Sequence, residues 1–157
     1  MRLKQGCKGA WIALIAAALD RISKAWALGA KVNQPMIPGI LNARYVENTG
    51  MAFSMFSGQS LALTMLTMAL ILALVVWLLA KPDESRLFRT AIWLIVGGGL
   101  GNLYDRLVYG YVIDFIEPAF VRFAVFNVAD VCICVGAGLA VLALILEELR
   151  GRKAHGK

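Results

Sequence analysis

Apolar positions along the chain gather into four long runs separated by mixed segments. The purest is Leu61 to Ala80, twenty residues without a charged side chain. At 1.5 Å per residue, about twenty helical residues cross a hydrocarbon core of roughly 30 Å, so this run predicts a transmembrane helix. The other three are interrupted: residues 9–28 by Asp20, Arg21 and Lys24, residues 89–107 by Asn102, Asp105 and Arg106, and residues 126–147 by Asn127 and Asp130. Read as spans, they predict one all-α integral membrane domain over 1–157 with four transmembrane helices. Segments 29–60 and 108–125 then lie on one side and 81–88 on the other. In "ILNARYVENTG" and "YVIDFI" apolar and polar residues partly alternate, and "VRFAVF" is rich in valine and phenylalanine. Short strands are expected there, forming a small sheet that caps the helices.

Composition agrees with this pattern. The 157 residues are 60% hydrophobic and 17% charged, with mean hydropathy +0.71, far from a soluble domain at about a quarter charged. The net charge of +6 reads as membrane orientation rather than nucleic-acid binding, because no basic face stands outside the apolar runs. Arg2, Lys4, Lys8, Lys81, Arg86, Arg89, Arg150, Arg152, Lys153 and Lys157 fall on one side, ten against six on the other. The positive-inside rule puts both termini and segment 81–88 in the cytoplasm.

The basic "MRLKQGCKGA" followed by "WIALIAAAL" has the outline of a cleavable leader. Apolar sequence resumes after Asp20, which favours a retained span, and no apolar stretch precedes Cys7 to make a lipidation box. Cys7, Cys132 and Cys134 are odd in number and suggest neither a disulfide framework nor a metal site.

With that orientation the acids sort by depth. Asp20 lies twelve residues past Lys8, roughly 18 Å of helix. Asp105 lies sixteen past Arg89, roughly 24 Å, and Asp130 twenty before Arg150, roughly 30 Å. Asp114 falls in the outer 108–125 segment. Four aspartates from separate segments thus reach one level near the outer surface. Ionisable groups inside a membrane cost on the order of 3 kcal/mol and mark function by default.

Asp20 and Lys24 stand i,i+4, acid first, as a structural ion pair would. Asn102 shares a helix face with both Asp105 and Arg106, an orienting group at a helix end. Asp114 and Asp130 have no basic partner nearby in sequence, while Asn127 shares a face with Asp130. Two carboxyls in a desolvated place tend to hold one proton between them, the arrangement of aspartic proteases. Two separately hydrogen-bonded aspartates and a metal site remain alternatives on chemistry alone.

"GGGLG" (97–101) lacks the lysine and hydroxyl residue of a phosphate loop. Gly97 and Gly101 have the spacing of close helix packing, and Gly136 and Gly138 read the same way. The single histidine, His155, lies in the C-terminal tail, away from any serine or acid of the outer side. Ser54, Ser57 and Ser60 with Lys24 or Lys31 leave a serine–lysine system as a minor reading.

Taken in order, "DRISK" (20–24), "VENTGMAFSMF" (46–56), "GNLYDRLVYGYVIDF" (101–115) and "FNVAD" (126–130) resemble the lipoprotein signal peptidases, the bacterial type II signal peptidase family, over the whole chain. The resemblance implies a metal-independent, cofactor-free aspartyl endopeptidase of the bacterial plasma membrane. It would cut a prolipoprotein just before the diacylglyceryl-modified lipobox cysteine. Its partners would be that lipidated signal peptide and membrane lipid, with no nucleic acid, and a monomer is expected. The catalytic pair maps onto Asp114 and Asp130. Supporting positions map onto Asp20, Lys24, Asn48, Gly50, Asn102, Asp105, Arg106 and Asn127. Arg21 stands where glutamine is frequent in that family, and Met51 where alanine is frequent. A Mg²⁺-dependent lipid phosphotransferase is the enzymatic alternative. A small ion-coupled transporter is the non-enzymatic one, although its charges should lie near the bilayer midplane.

Overall fold

The computed structural model describes residues 6–50, 59–81 and 83–155, the last three as backbone only. Four helices dominate it: α1 (Ala10–Ala30), α2 (Ser60–Ala80), α3 (Arg86–Tyr109) and α4 (Val128–His155). Three antiparallel strands, β1 (Asn33–Ile37), β2 (Leu41–Asn48) and β3 (Val112–Pro118), form one sheet in the order β1-β2-β3.

The helix ends have local causes. Ser85 caps α3 by accepting a hydrogen bond from Phe88 N at 3.3 Å, so the helix begins three residues before the apolar run. Gly110 ends it in the left-handed region at φ 82°, open to glycine without strain. The last helix runs on to His155 because its polar end stays helical, with Arg152 paired to Glu148 at 2.9 Å across one turn.

By length and composition, Ser60–Ala80 and Val128–Arg152 are the helices among the described residues long and apolar enough to cross a membrane. Both are largely unburied within the fold, the surface expected where lipid replaces a protein core. Helix α1 likewise exposes Trp11, Leu14, Leu19 and Ile22.

Helix α3 is central and packs on the other three. Its glycines make that possible. A Cβ on Gly97 would lie 2.7 Å from the Ala13 carbonyl oxygen of α1, and one on Gly98 would collide with the Ala129 carbonyl of α4. A Cβ on Gly101 would strike the Asp20 carboxylate. Gly136 of α4 sits equally close to the Ala91 carbonyl, at 2.7 Å. Gly138 meets nothing within 4 Å, so its expected packing role does not hold.

Strand β2 falls within the first alternating segment, and β3 begins in the second and runs two residues past it to Pro118. "VRFAVF" forms no strand of its own and contributes one bridge, Phe126 to Ile116. The unforeseen β1 is exposed throughout and pairs through its backbone with β2. Beneath the sheet, Ala27, Val32, Ala43, Ile113 and Phe115 form a small core that fixes it to the end of α1.

Candidate active site

Where α1, α3, β3 and α4 meet, the polar residues of the apolar runs converge. Lys24 is fully buried, and its ammonium group reaches Asp20 Oδ2 at 2.9 Å, Asp105 Oδ2 at 2.8 Å and Asn102 Oδ1 at 2.8 Å. Three donors thus meet three acceptors, the full capacity of an ammonium. The second oxygen of Asp20 accepts from Ala129 N at 2.9 Å, an otherwise orphaned amide in the first turn of α4. Asp105 Oδ2 also accepts from Ile113 N at 3.1 Å, and Asp105 Oδ1 pairs with Arg21 at 2.7 Å. The Arg21 guanidinium lies 4.6 Å over the Tyr104 ring. The expected Asp20–Lys24 pair is therefore one edge of a larger closed cluster.

Asp114 and Asp130 are held differently. Asn127 Nδ2 donates to Asp114 Oδ1 at 2.6 Å, and Asn48 Nδ2 donates to Asp114 Oδ2 at 2.9 Å. Asn102 Nδ2 donates to Asp130 Oδ1 at 2.8 Å. Asn127 and Asp130 form a reciprocal cap at the start of α4. Asp130 N donates to Asn127 Oδ1 at 2.9 Å, and Asn127 N donates to Asp130 Oδ2 at 3.2 Å. This is the capping-box geometry, with the acid of the box facing the site. One residue, Asn127, thereby bonds both carboxyls, Asp114 through its side chain and Asp130 through its backbone N–H. Asn102 connects the two groups, since its oxygen accepts from Lys24 and from Asn127, the latter at 3.2 Å.

Arg106 points elsewhere than Asn102: its guanidinium donates to the Gly50 carbonyl oxygen at 3.2 Å. Gly50 N in turn donates to Asn48 Oδ1 at 2.9 Å, so Arg106 steadies the turn that presents Asn48. All ten positions singled out from the sequence meet here. Met51, Ser54 and Ser57 lie outside the described residues, and Ser60 donates to the Gly110 carbonyl oxygen at 2.6 Å, apart from this site. Arg21, a departure from the family pattern, forms an ion pair with Asp105. The one signal for it was the cost of a cation inside an apolar run, which demands a partner.

Asp114 is 2% exposed. Burial, with the neighbouring charge of Asp130 adding to it, pushes its carboxyl up from 3.8 to about 7; the amides of Asn48 and Asn127 pull the other way. Both acids line a cavity of about 440 Å³ whose other walls are mainly apolar, among them Val112, Phe123, Val125 and Ile133. Four carboxyls in the assembly face three cations, Arg21, Lys24 and Arg106, so one proton on a carboxyl brings the charge to balance. The arrangement suits a buried acid–base pair at an apolar cleft.

The fold is shared with solved bacterial membrane enzymes. Two solved structures described as bacterial membrane enzymes are similar to the chain, with TM-scores of 0.84 and 0.79 at 27% and 28% identity. The first match covers 90% of this chain and 89% of the other; the second covers 87% and 92%. The model of signal peptidase (SPase) II matches residues 12–146. The lipoprotein signal peptidase of Clostridium acetobutylicum is 37% identical over 136 residues, 83% of this chain and 88% of that protein. That of Streptococcus pyogenes serotype M5 is 40% identical over 140 residues, 86% and 91%. The chain belongs to the signal peptidase II family, proteases that remove signal peptides from prolipoproteins.

Proposed function

We propose that the chain is an aspartyl endopeptidase in which Asp114 and Asp130 act on a scissile peptide without a metal ion. The observation that carries this reading is the shared residue Asn127. Its carboxamide donates to the Asp114 carboxyl and its backbone N–H to the Asp130 carboxyl, and both carboxyls open onto one apolar cavity. Asp114, with its raised affinity for a proton, is the acid, and Asp130 is the base. Asp130 takes a proton from water as the water oxygen bonds to the peptide carbonyl carbon, and Asp114 gives its proton to the carbonyl oxygen. On collapse the C–N bond breaks, Asp130 returns its proton to the departing amine, and Asp114 recovers one from the gem-diol. Asn48, Asn102 and Asn127 hold the carboxyl oxygens, while Asp20, Lys24, Asp105 and Arg106 position the segments that carry them.

The substrate is a signal peptide whose lipobox cysteine bears a diacylglyceryl group, cut just before that cysteine. The apolar cleft walls suit acyl chains. The cleft beside Asp114, walled by Val112 and Phe126, suits an extended peptide. Helices α1 and α3 are two further spans beside α2 and α4, since α1 presents an apolar outer face and α3 has no charged residue between Arg89 and Asp105. Both termini then lie in the cytoplasm of a multi-pass plasma membrane protein, one domain over 1–157, working as a monomer with the site toward the outer face. The test is cleavage of a diacylglyceryl-modified prolipoprotein by purified protein in detergent. Wild type should cleave equally with and without EDTA, whereas loss of activity with EDTA would point to the Mg²⁺-dependent alternative.

A further inference from the structure

A second cavity, about 420 Å³, lies at the other end of the bundle, between the start of α1 and the start of α3. It is lined by Lys8, Gly9, Arg86, Arg89 and Thr90. Asn102, beside the acids, is thirteen residues beyond Arg89 on α3, roughly 20 Å of helix away. Three cations face this space, and no acidic side chain lines it among the described residues. Glu84 is nearby, but its backbone carbonyl is what engages Arg89, at 2.8 Å, steadying that guanidinium at the rim.

The backbone adds to the positive field. Both α1 and α3 begin here, and neither has an acidic residue in its first turn. Gly9 caps α1 without a side-chain hydrogen bond. Two helix N-termini thus bring partial positive charge to a space that already holds three full ones. The buried indole N–H of Trp93 has no hydrogen-bond partner among the described residues and lies 3.7 Å from where a Gly9 side chain would begin. Gly9, at φ 101°, leaves that side open; a Cβ there would approach the indole ring to 3.1 Å. Next to the cavity, Trp11 is 62% exposed and continues into the exposed Leu14 and Ile15 of α1. An amphipathic ring followed by an apolar face is the surface met by a lipid whose headgroup sits at the membrane boundary.

We propose that this cavity binds the phosphate headgroup of an anionic phospholipid, with the acyl chains along the exposed face of α1. Lys8 and Arg86 provide most of the attraction. Arg89, Thr90 and the N-terminal amides of the helices supply directional donors.

The test is native mass spectrometry of the full chain released from detergent and titrated with dioleoylphosphatidylglycerol. Dioleoylphosphatidylcholine and soluble glycerophosphoglycerol serve as comparison probes. One phosphatidylglycerol per chain should be retained in preference to phosphatidylcholine, and the soluble headgroup should not displace it. Lys8→Gln with Arg86→Gln should weaken retention roughly ten- to thirtyfold, Lys8→Gln alone less, with peptidase activity in detergent unchanged. Arg150→Gln with Arg152→Gln removes as much charge from the end of α4 and should leave retention intact. Equal retention by the Lys8/Arg86 variant would overturn the proposal, as would an equal loss in the Arg150/Arg152 variant. Displacement by glycerophosphoglycerol as effective as by lipid would mean a site for free phosphate and would equally overturn it.

Discussion

Two pairs of aspartates lie within one small volume and are treated in opposite ways. Asp20 and Asp105 are fully buried and charge-paired: both bind Lys24, and Asp105 also binds Arg21. Among the described residues Asp114 and Asp130 receive carboxamide and backbone hydrogen bonds, and they face a cavity. A carboxyl paired with a buried ammonium is held in place from two sides, useful as a fixed strut. One held by neutral amides in a desolvated place keeps a proton within reach of neutral pH. On the proposed mechanism, the partner of a buried acid, more than its depth, separates scaffold from chemistry.

The sharpest way to break the comparison is to remove charge from each pair in turn. Asp114→Asn and Asp130→Asn should each lower the cleavage rate at least about a thousandfold while leaving a folded protein, read by monodisperse elution and helical circular dichroism. A variant retaining near-normal activity would move Asp20 or Asp105 into the reacting role. Lys24→Met should do the reverse damage. It leaves two buried carboxylates without their shared counter-charge, a loss of about 3–5 kcal/mol, so thermal unfolding in detergent should collapse along with activity.

A third prediction uses pH. The folded Asp114 carboxyl titrates at about 7 against an ordinary 3.8. The native state therefore binds more protons than the unfolded chain between those values, and stability from this group is lost as pH rises through that window. Asp114→Asn has no such group. Its melting temperature should exceed that of wild type by on the order of 5 °C at pH 8 and converge with it near pH 4. A constant difference across that range would remove Asp114 as the group that titrates. The smallest effect is expected at the rim of the charge-paired cluster. Arg21→Gln keeps a donor but drops the charge facing Asp105, and a severalfold fall in kcat with little change in KM is expected. An unchanged kcat would detach Arg21 from the positioning of β3.

Much of the site was legible because charge inside apolar sequence is expensive and therefore informative. Asp20, Lys24, Asn102, Asp105, Arg106, Asn127 and Asp130 all announced themselves as interruptions of oily runs. Their pairing was less legible. Asn102 and Arg106 share a helix face, yet one turns to Lys24 and Asp130 while the other reaches Gly50; spacing gives adjacency but not the partner on another element. Arg21 and Asp105 are far apart in sequence, so nothing local announced their contact. Strand β1 was invisible for another reason. "NQPMI" contains a proline and lacks apolar alternation, and the strand exists through its backbone pairing with β2. "VRFAVF" had the right residues for a strand, but only Phe126 finds a bridging partner, Ile116.

The reciprocal bonds between Asn127 and Asp130 serve two masters. They start α4, and they aim a carboxyl into the cleft. Helix caps can ordinarily drift among several residue types, because many side chains end a helix about equally well. Here that freedom is absent. Glutamate, the usual acid of a capping box, would keep the helix start and carry the carboxyl one methylene beyond its place. Selection for thermal robustness and selection for turnover therefore read the same two letters, and on the proposed mechanism a search for stabilising substitutions at this helix end would be expected to return sturdier, slower enzymes.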